Sequence, residues 1–231
     1  MIKLDYKLYY WDLPFRGNFI QLMLEDVGAH YQRRDASEIY PERSLKIHNP
    51  GMAPPYLYEC KTKTYFAQMP AALMHLGRKY DYLPKRAETH TLALKTILDC
   101  NDLLIEISNC NGQVMWERSD WEGFRFGRLP DWMQVFEKTG LSHGLKGQRG
   151  FLLGSSISVA DIATAALFGT LVYSFPQLES DLREHAPHVA DLCQRVEARP
   201  TIQSLLEKQR QEYGRGYCGG QIERSLRKMI G

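Results

Sequence analysis

Apolar positions along this chain of 231 residues change their period once, and the change divides it in two. In the first third, short aromatic runs alternate with helical spacing. Tyr6-Lys7-Leu8-Tyr9-Tyr10-Trp11 reads as a strand. From Arg16 onward, Ile20, Met23, Leu24 and Val27 recur at helical spacing and stop near Gly28, which predicts a helix. A second strand is expected from Tyr31 to Arg34, followed by a segment of no clear pattern to His48. Tyr56-Leu57-Tyr58-Glu59 and Thr64-Tyr65-Phe66 predict a hairpin turning over Cys60 to Lys63. A helix from about Gln68 to Tyr80 accommodates Pro70, because a proline in the first turn displaces no intrahelical hydrogen bond. An order of strand, helix, strand, helix, strand, strand, helix is that of a thioredoxin-like unit.

After Leu83-Pro84-Lys85 the strand signals nearly vanish. Helical patterns run through Leu92 to Ile107, Trp132 to Leu145, Val159 to Leu171 and Val189 to Val196. Pro200 marks a break before a further helix ending near Tyr213. The glycine-rich stretch from Gly214 to Gly220 is expected at the surface. The fold class is therefore an α/β thioredoxin-like N-terminal domain, residues 1–83, joined to an all-α C-terminal domain, residues 88–231. Within the second, Ile157-Ser158-Val159-Ala160-Asp161-Ile162 has the form of a capping box: Ser158 serves the amides of the first turn and Asp161 reaches back to the Ser158 amide.

Composition narrows the function classes. Lys and Arg exceed Asp and Glu by two and are spread among them, so no nucleic-acid or membrane surface is indicated. No apolar stretch approaches the roughly 20 residues of a spanning helix. Met1-Ile2-Lys3-Leu4-Asp5 lacks the apolar core of a signal peptide, which predicts a cytoplasmic protein. Five cysteines without C-x-x-C spacing argue against a disulfide framework or zinc site, and the histidines show no ligand spacing, so no metal is expected. No cysteine stands at the end of the first strand, where a thioredoxin-like redox enzyme would carry one.

The chemistry lies in Gly51-Met52-Ala53-Pro54-Pro55-Tyr56-Leu57 and Phe66-Ala67-Gln68-Met69-Pro70. A proline pair opening a strand, then a polar residue at a helix start, is how a thioredoxin-like domain holds a small thiol peptide by its backbone. That points to glutathione. The residues alone leave Tyr9 and Tyr10 as rival hydroxyls on opposite strand faces, since Leu8 and Tyr10 share one face and Tyr9 and Trp11 the other.

Taken in order, Tyr10-Trp11, Arg16-Gly17, Ser44-Leu45-Lys46, Pro54-Pro55-Tyr56-Leu57, Gln68 and the Ser158 to Asp161 box resemble the cytosolic glutathione transferases, over nearly the whole chain. The likeness is greatest to bacterial members related to the tyrosine-using pi, mu and sigma classes. The resemblance implies an enzyme that binds glutathione as co-substrate and directs its thiolate to small apolar electrophiles, with peroxide reduction as a second activity. It selects Tyr10 as the hydroxyl that stabilises the thiolate. Pro55 would follow a cis bond, placing the Pro54 backbone against the ligand's cysteine. Gln68 and Met69 would meet the γ-glutamyl carboxylate at the helix start. Lys46 would meet the glycine carboxylate, and Asp102 the ligand amine of a partner in a homodimer. Trp11 and Phe15 are candidates to line the electrophile pocket, and Trp116 or Tyr213 to close it. Two departures from the family pattern predict weak glutathione binding: Pro54 has no N–H, and Met69 replaces the usual Ser or Thr. The rival class is a non-enzymatic binding protein of the same fold.

Overall fold

The computed structural model describes residues 3–231, so Met1 and Ile2 of the N-terminal segment lie outside the described residues. Four strands, β1 (Tyr6–Tyr9), β2 (Tyr31–Arg34), β3 (Tyr56–Glu59) and β4 (Thr64–Ala67), form one mixed sheet in the order β2-β1-β3-β4. Helix α1 (Arg16–Asp26) carries the chain back across the sheet, which makes β1 and β2 parallel. The tight turn after Glu59 makes β3 and β4 antiparallel. β1 ends at Tyr9 rather than Trp11, although the Tyr10 N–H still donates to the Arg34 carbonyl at 3.1 Å. Helix α2 (Met69–Lys79) closes the unit. Between β2 and β3 the helix required by the thioredoxin-like order is reduced to one 3-10 turn, Ala36–Glu38, and a run of turns.

The alternation read in β1 decides what each tyrosine touches. Tyr6, Leu8 and Tyr10 enter the main core, whereas Tyr9 joins Ile39 and Tyr56 in a small cluster on the other side. Helix α1 is buried from Gly17 to Leu24, because the sheet covers one side and the helical domain the other.

That domain begins with α3 (Ala87–Ile107), five residues earlier than its apolar pattern predicts. Helix α4 (Arg118–Gly123) runs through a π turn, Phe124–Arg128, into α5 (Leu129–Ser142). Helix α6 (Val159–Thr164) likewise continues through a π turn, Ala165–Gly169, into α7 (Thr170–Ser174). Every residue from Ser158 to Leu171 is buried, as expected of a helix apolar on all sides at the centre of a bundle. The capping box starts it: Asp161 Oδ2 accepts from the Ser158 amide at 2.7 Å, and Oδ1 from the Leu152 amide at 2.7 Å. Around this helix pack α8 (Glu179–His185), α9 (Pro187–Glu197), α10 (Pro200–Tyr213) and α11 (Gly220–Ile230).

The two parts share one apolar core, tied at its edge by a buried Asp26. Its carboxylate accepts from the Tyr82 hydroxyl at 2.6 Å and pairs with Arg199. The glycine-rich stretch is not a surface tail. Tyr217 is 1% exposed, with its ring between Phe15 and Phe175 at 5.1 and 5.3 Å. This burial brings the following residues against the β1–α1 loop.

Candidate active site

Five segments meet around a cavity of about 470 Å³: the β1–α1 loop, the entrance to β3, the start of α2, the last turns of α3, and the chain before α11. Tyr10 lines it while only 2% exposed. Its hydroxyl oxygen accepts the Arg16 backbone N–H, the first of α1, at 3.1 Å. So close an approach requires Gly17, since a Cβ there would collide with the Tyr10 ring. Burial pushes the Tyr10 hydroxyl well above the usual tyrosine range, opposed in part by Arg16. It therefore stays protonated at neutral pH and remains a donor.

Trp11 stands edge-on to Tyr10 at 5.3 Å between centroids and is 41% exposed on the cavity wall, with Phe15 deeper in the loop. Pro54 and Pro55 form the opposite wall, and the bond joining them is cis. Gln68 enters α2 at φ 71°, lines the cavity and makes no side-chain cap to its helix. Met69 begins the helix, yet its side chain is 1% exposed in the main core, outside the cavity lining. Lys46 is exposed and also outside the lining. Asp102 is exposed on α3, while Asn101 and Ile105 beside it do line the cavity. Trp116 packs inside with Trp121 and Phe124, and Tyr213 faces Arg33 at a separate groove, so neither closes this cavity.

Several wall residues escape a reading of the sequence. Arg16 lies over the Phe15 ring at 4.9 Å and donates to Asn111 Oδ1 at 2.7 Å. Asn111 is presented by four consecutive left-handed residues, Asn109 to Gly112. Such a run costs roughly 1 to 2 kcal/mol at each non-glycine residue, least for Asn. The Asn-Cys-Asn-Gly composition was its available signal. Cys218, brought in from the far end of the sequence, also lines the cavity. Burial pushes that thiol up to about 12, so it is protonated and a poor nucleophile.

The loop bearing Tyr10 is held from behind. Arg33 donates to the carbonyls of Trp11 and Leu13, the latter at 3.2 Å, and to Gln21 Oε1 at 2.9 Å. Gln209 of α10 joins Gln21 at 3.3 Å and Asn18 at 2.9 Å, and Asn18 donates to Thr170 at 2.9 Å. One buried polar chain thus runs from the helical domain to the loop.

A thioredoxin-like sheet with a cis-proline edge, facing an all-helical domain across such a cavity, is the glutathione transferase fold. The chain belongs to the glutathione S-transferase family: residues 92–229 match the family model described as glutathione S-transferase, C-terminal domain. It is similar to the solved pi-class glutathione S-transferase of Onchocerca volvulus, at 23% identity and TM-score 0.73 over 90% of this chain and 94% of that one. It is similar also to prostaglandin synthase D of Nilaparvata lugens, at 20% identity and TM-score 0.70 over 89% and 98%. At these identities the structural likeness is one of fold. No curated protein matches the chain in sequence. Among the described residues no His, Cys, Asp or Glu cluster could hold a metal ion, and no single helix is long and apolar enough to cross a membrane.

Proposed function

We propose that this family member conjugates the glutathione thiolate to small apolar electrophiles, with the Tyr10 hydroxyl as the group that stabilises the sulfur. The observation that carries this reading is the Tyr10 hydroxyl itself: it lines the cavity, and its oxygen is already occupied by the Arg16 amide. The O–H is left to donate outward. A free thiol has a pKa of about 8.5, so a fall of roughly two units, about 2.7 kcal/mol, makes the thiolate predominant at neutral pH. A hydrogen bond to a charged acceptor contributes about 1.5 to 3 kcal/mol, which is the required order. Pro54 and Gln68, which line the same cavity, would meet the peptide, and Trp11 and Phe15 would give the electrophile an apolar wall.

Tyr10→Phe tests this directly. Turnover with a generic aryl halide is expected to fall more than tenfold while glutathione binding and folding persist, because one donor is lost at constant ring volume. Tyr9→Phe, in the other cluster, should change little. Equal effects of the two would remove Tyr10 from the role.

A second reading, a catalytically weak or non-enzymatic glutathione binder, is favoured by Lys46 and Met69, whose side chains lie outside the cavity lining, and by the missing N–H of Pro54. Retention on immobilised glutathione without conjugation would select it. We further propose a homodimer, in which the exposed stripe of Leu94, Leu98 and Asp102 on α3 meets the first domain of a partner copy. Light scattering at micromolar concentration should give twice the 26.7 kDa chain mass.

A further inference from the structure

A second cavity, about 280 Å³, opens within the helical domain and shares no lining residue with the first. Its walls come from α7, α8, α9, the end of α10 and the chain after it. The feature that needs a reason is Glu197, the last residue of α9. Its carboxylate reaches over Gly169 in the π turn, where a Cβ would collide with Oε1. The helix therefore gives up a side chain at Gly169 to admit a charge. Among the described residues that carboxylate has no hydrogen bond or ion pair with another side chain, and Arg210 acts on it only at a distance.

Arg210 is the complementary case. Its guanidinium lies 4.7 Å from the centroid of the Tyr173 ring and pairs with no carboxylate among the described residues. Of the other charges at the rim, Arg183 and Glu179 are spent internally. Arg183 pairs with Asp191 at 2.9 Å and Glu179 at 3.9 Å, and Arg215 donates to the Tyr173 carbonyl at 2.7 Å. One carboxylate, Glu197, and two guanidiniums, Arg210 and Arg215, remain without an oppositely charged partner among the described residues, with Val172, Leu182 and Ala190 as an apolar wall.

We infer that this cavity is a binding site for a free α-amino acid with an apolar side chain, its ammonium on Glu197, its carboxylate on Arg210 and its side chain on the Val172, Leu182 and Ala190 wall. A simple anion would satisfy Arg210 but lie beside Glu197, and a simple cation would do the reverse. Only a ligand carrying both charges pairs both groups, and like-charge juxtaposition supplies the discrimination. The volume, near the lower end of the roughly 300 to 1,000 Å³ range of ligand sites, suits a molecule of that size. Burial pushes the Glu197 carboxyl up to about 7, so the ammonium partner is gained as pH rises through neutrality. The other titratable and charged groups lining the cavity are Tyr173, Glu179, Arg183, Cys193, Arg210 and Arg215.

Calorimetric titration of the full chain with L-leucine, isovalerate and isoamylamine tests the assignment, because the last two each carry one of leucine's charges. Leucine is expected to bind at least tenfold more tightly than either, and more tightly at pH 8 than at pH 6. Glu197→Gln should abolish that preference. Arg210→Met, a change at an exposed residue that leaves the Glu197 side chain in place, should weaken leucine at least tenfold while circular dichroism stays unchanged. Isovalerate binding as tightly as leucine, leucine binding unaltered in both variants, or no heat at millimolar leucine would each overturn it. Conjugation activity reports on the Tyr10 cavity alone, so failure here and failure there are distinguishable.

Discussion

Two tyrosines one position apart enter different cores, and that single alternation separates a candidate catalytic hydroxyl from a packing residue. The strand periodicity of β1 made the division of faces legible, but only Gly17 and the first amide of α1 explain why Tyr10 sits under a helix start. Met69 shows the limit of the same reasoning. Its backbone position at the start of α2 was legible from the sequence, whereas the direction of its side chain was not, because Gln68 turns the chain at φ 71° just before the helix. A long thioether then follows the apolar side into the core. Met69→Ser consequently acts on stability rather than on binding. Truncating a buried methionine costs about 2 to 5 kcal/mol, so the melting temperature should drop by several degrees. The new hydroxyl would point the same way, into the core and away from the cavity, so glutathione affinity should stay unchanged despite the lower stability. Calorimetric titration against wild type checks this, and tighter binding by the variant would mean that a side chain at this position does reach the expected carboxylate site.

Elements whose apolar face is fixed by local period were readable, as α1, the β3–β4 hairpin and the helices near Trp132, Val159 and Val189 show. Those set by contacts distant in sequence were not. The left-handed turn from Asn109 to Gly112 depends on Arg16, and the burial of Tyr217 depends on Phe15 and Phe175. The same holds for the polar chain through α1. Asn18 and Gln21 are buried amides in an otherwise apolar stretch of α1, and a buried amide without a partner costs about 1 to 3 kcal/mol. Gln209 of α10 resolves both at once. Gln209→Met keeps the shape but removes the donor, leaving the Asn18 carbonyl oxygen without it and weakening the seat of Arg33 behind the Tyr10 loop. Urea denaturation should show a loss of about 1 to 3 kcal/mol, with a fall in turnover larger than that from Ser158→Ala. The latter removes only a cap far from the cavity and should cost about 1 kcal/mol. A stability change near zero for Gln209→Met would mean that Asn18 and Gln21 find other partners.

For the whole molecule, the sign of the pH dependence follows from groups held off their ordinary ranges. Burial pushes Asp161 up to about 6, against hydrogen bonds from Leu152 and Ser158 that lower it, and Glu197 up to about 7. Glu59 and Glu223 are held low, by Lys79 and Arg227 respectively, each against its own burial, and His75 is held low by burial. A carboxyl raised in the native state binds more protons there than in the unfolded chain, so its contribution to stability is complete below the unfolded value and is lost as pH rises through the folded one. The lowered carboxylates act in the opposite sense below about pH 4.5, and His75 opposes below about pH 6.5. Comparing wild type with Glu197→Gln cancels those shared terms. The difference in unfolding free energy should move in favour of the variant as pH rises from 5 to 8, by up to about 3 kcal/mol and by less in proportion to solvent screening in the cavity. Urea midpoints measured at intervals across that range read the difference directly. A constant difference would mean that Glu197 is ionised in the native protein throughout, paired with Arg210 rather than held apart from it.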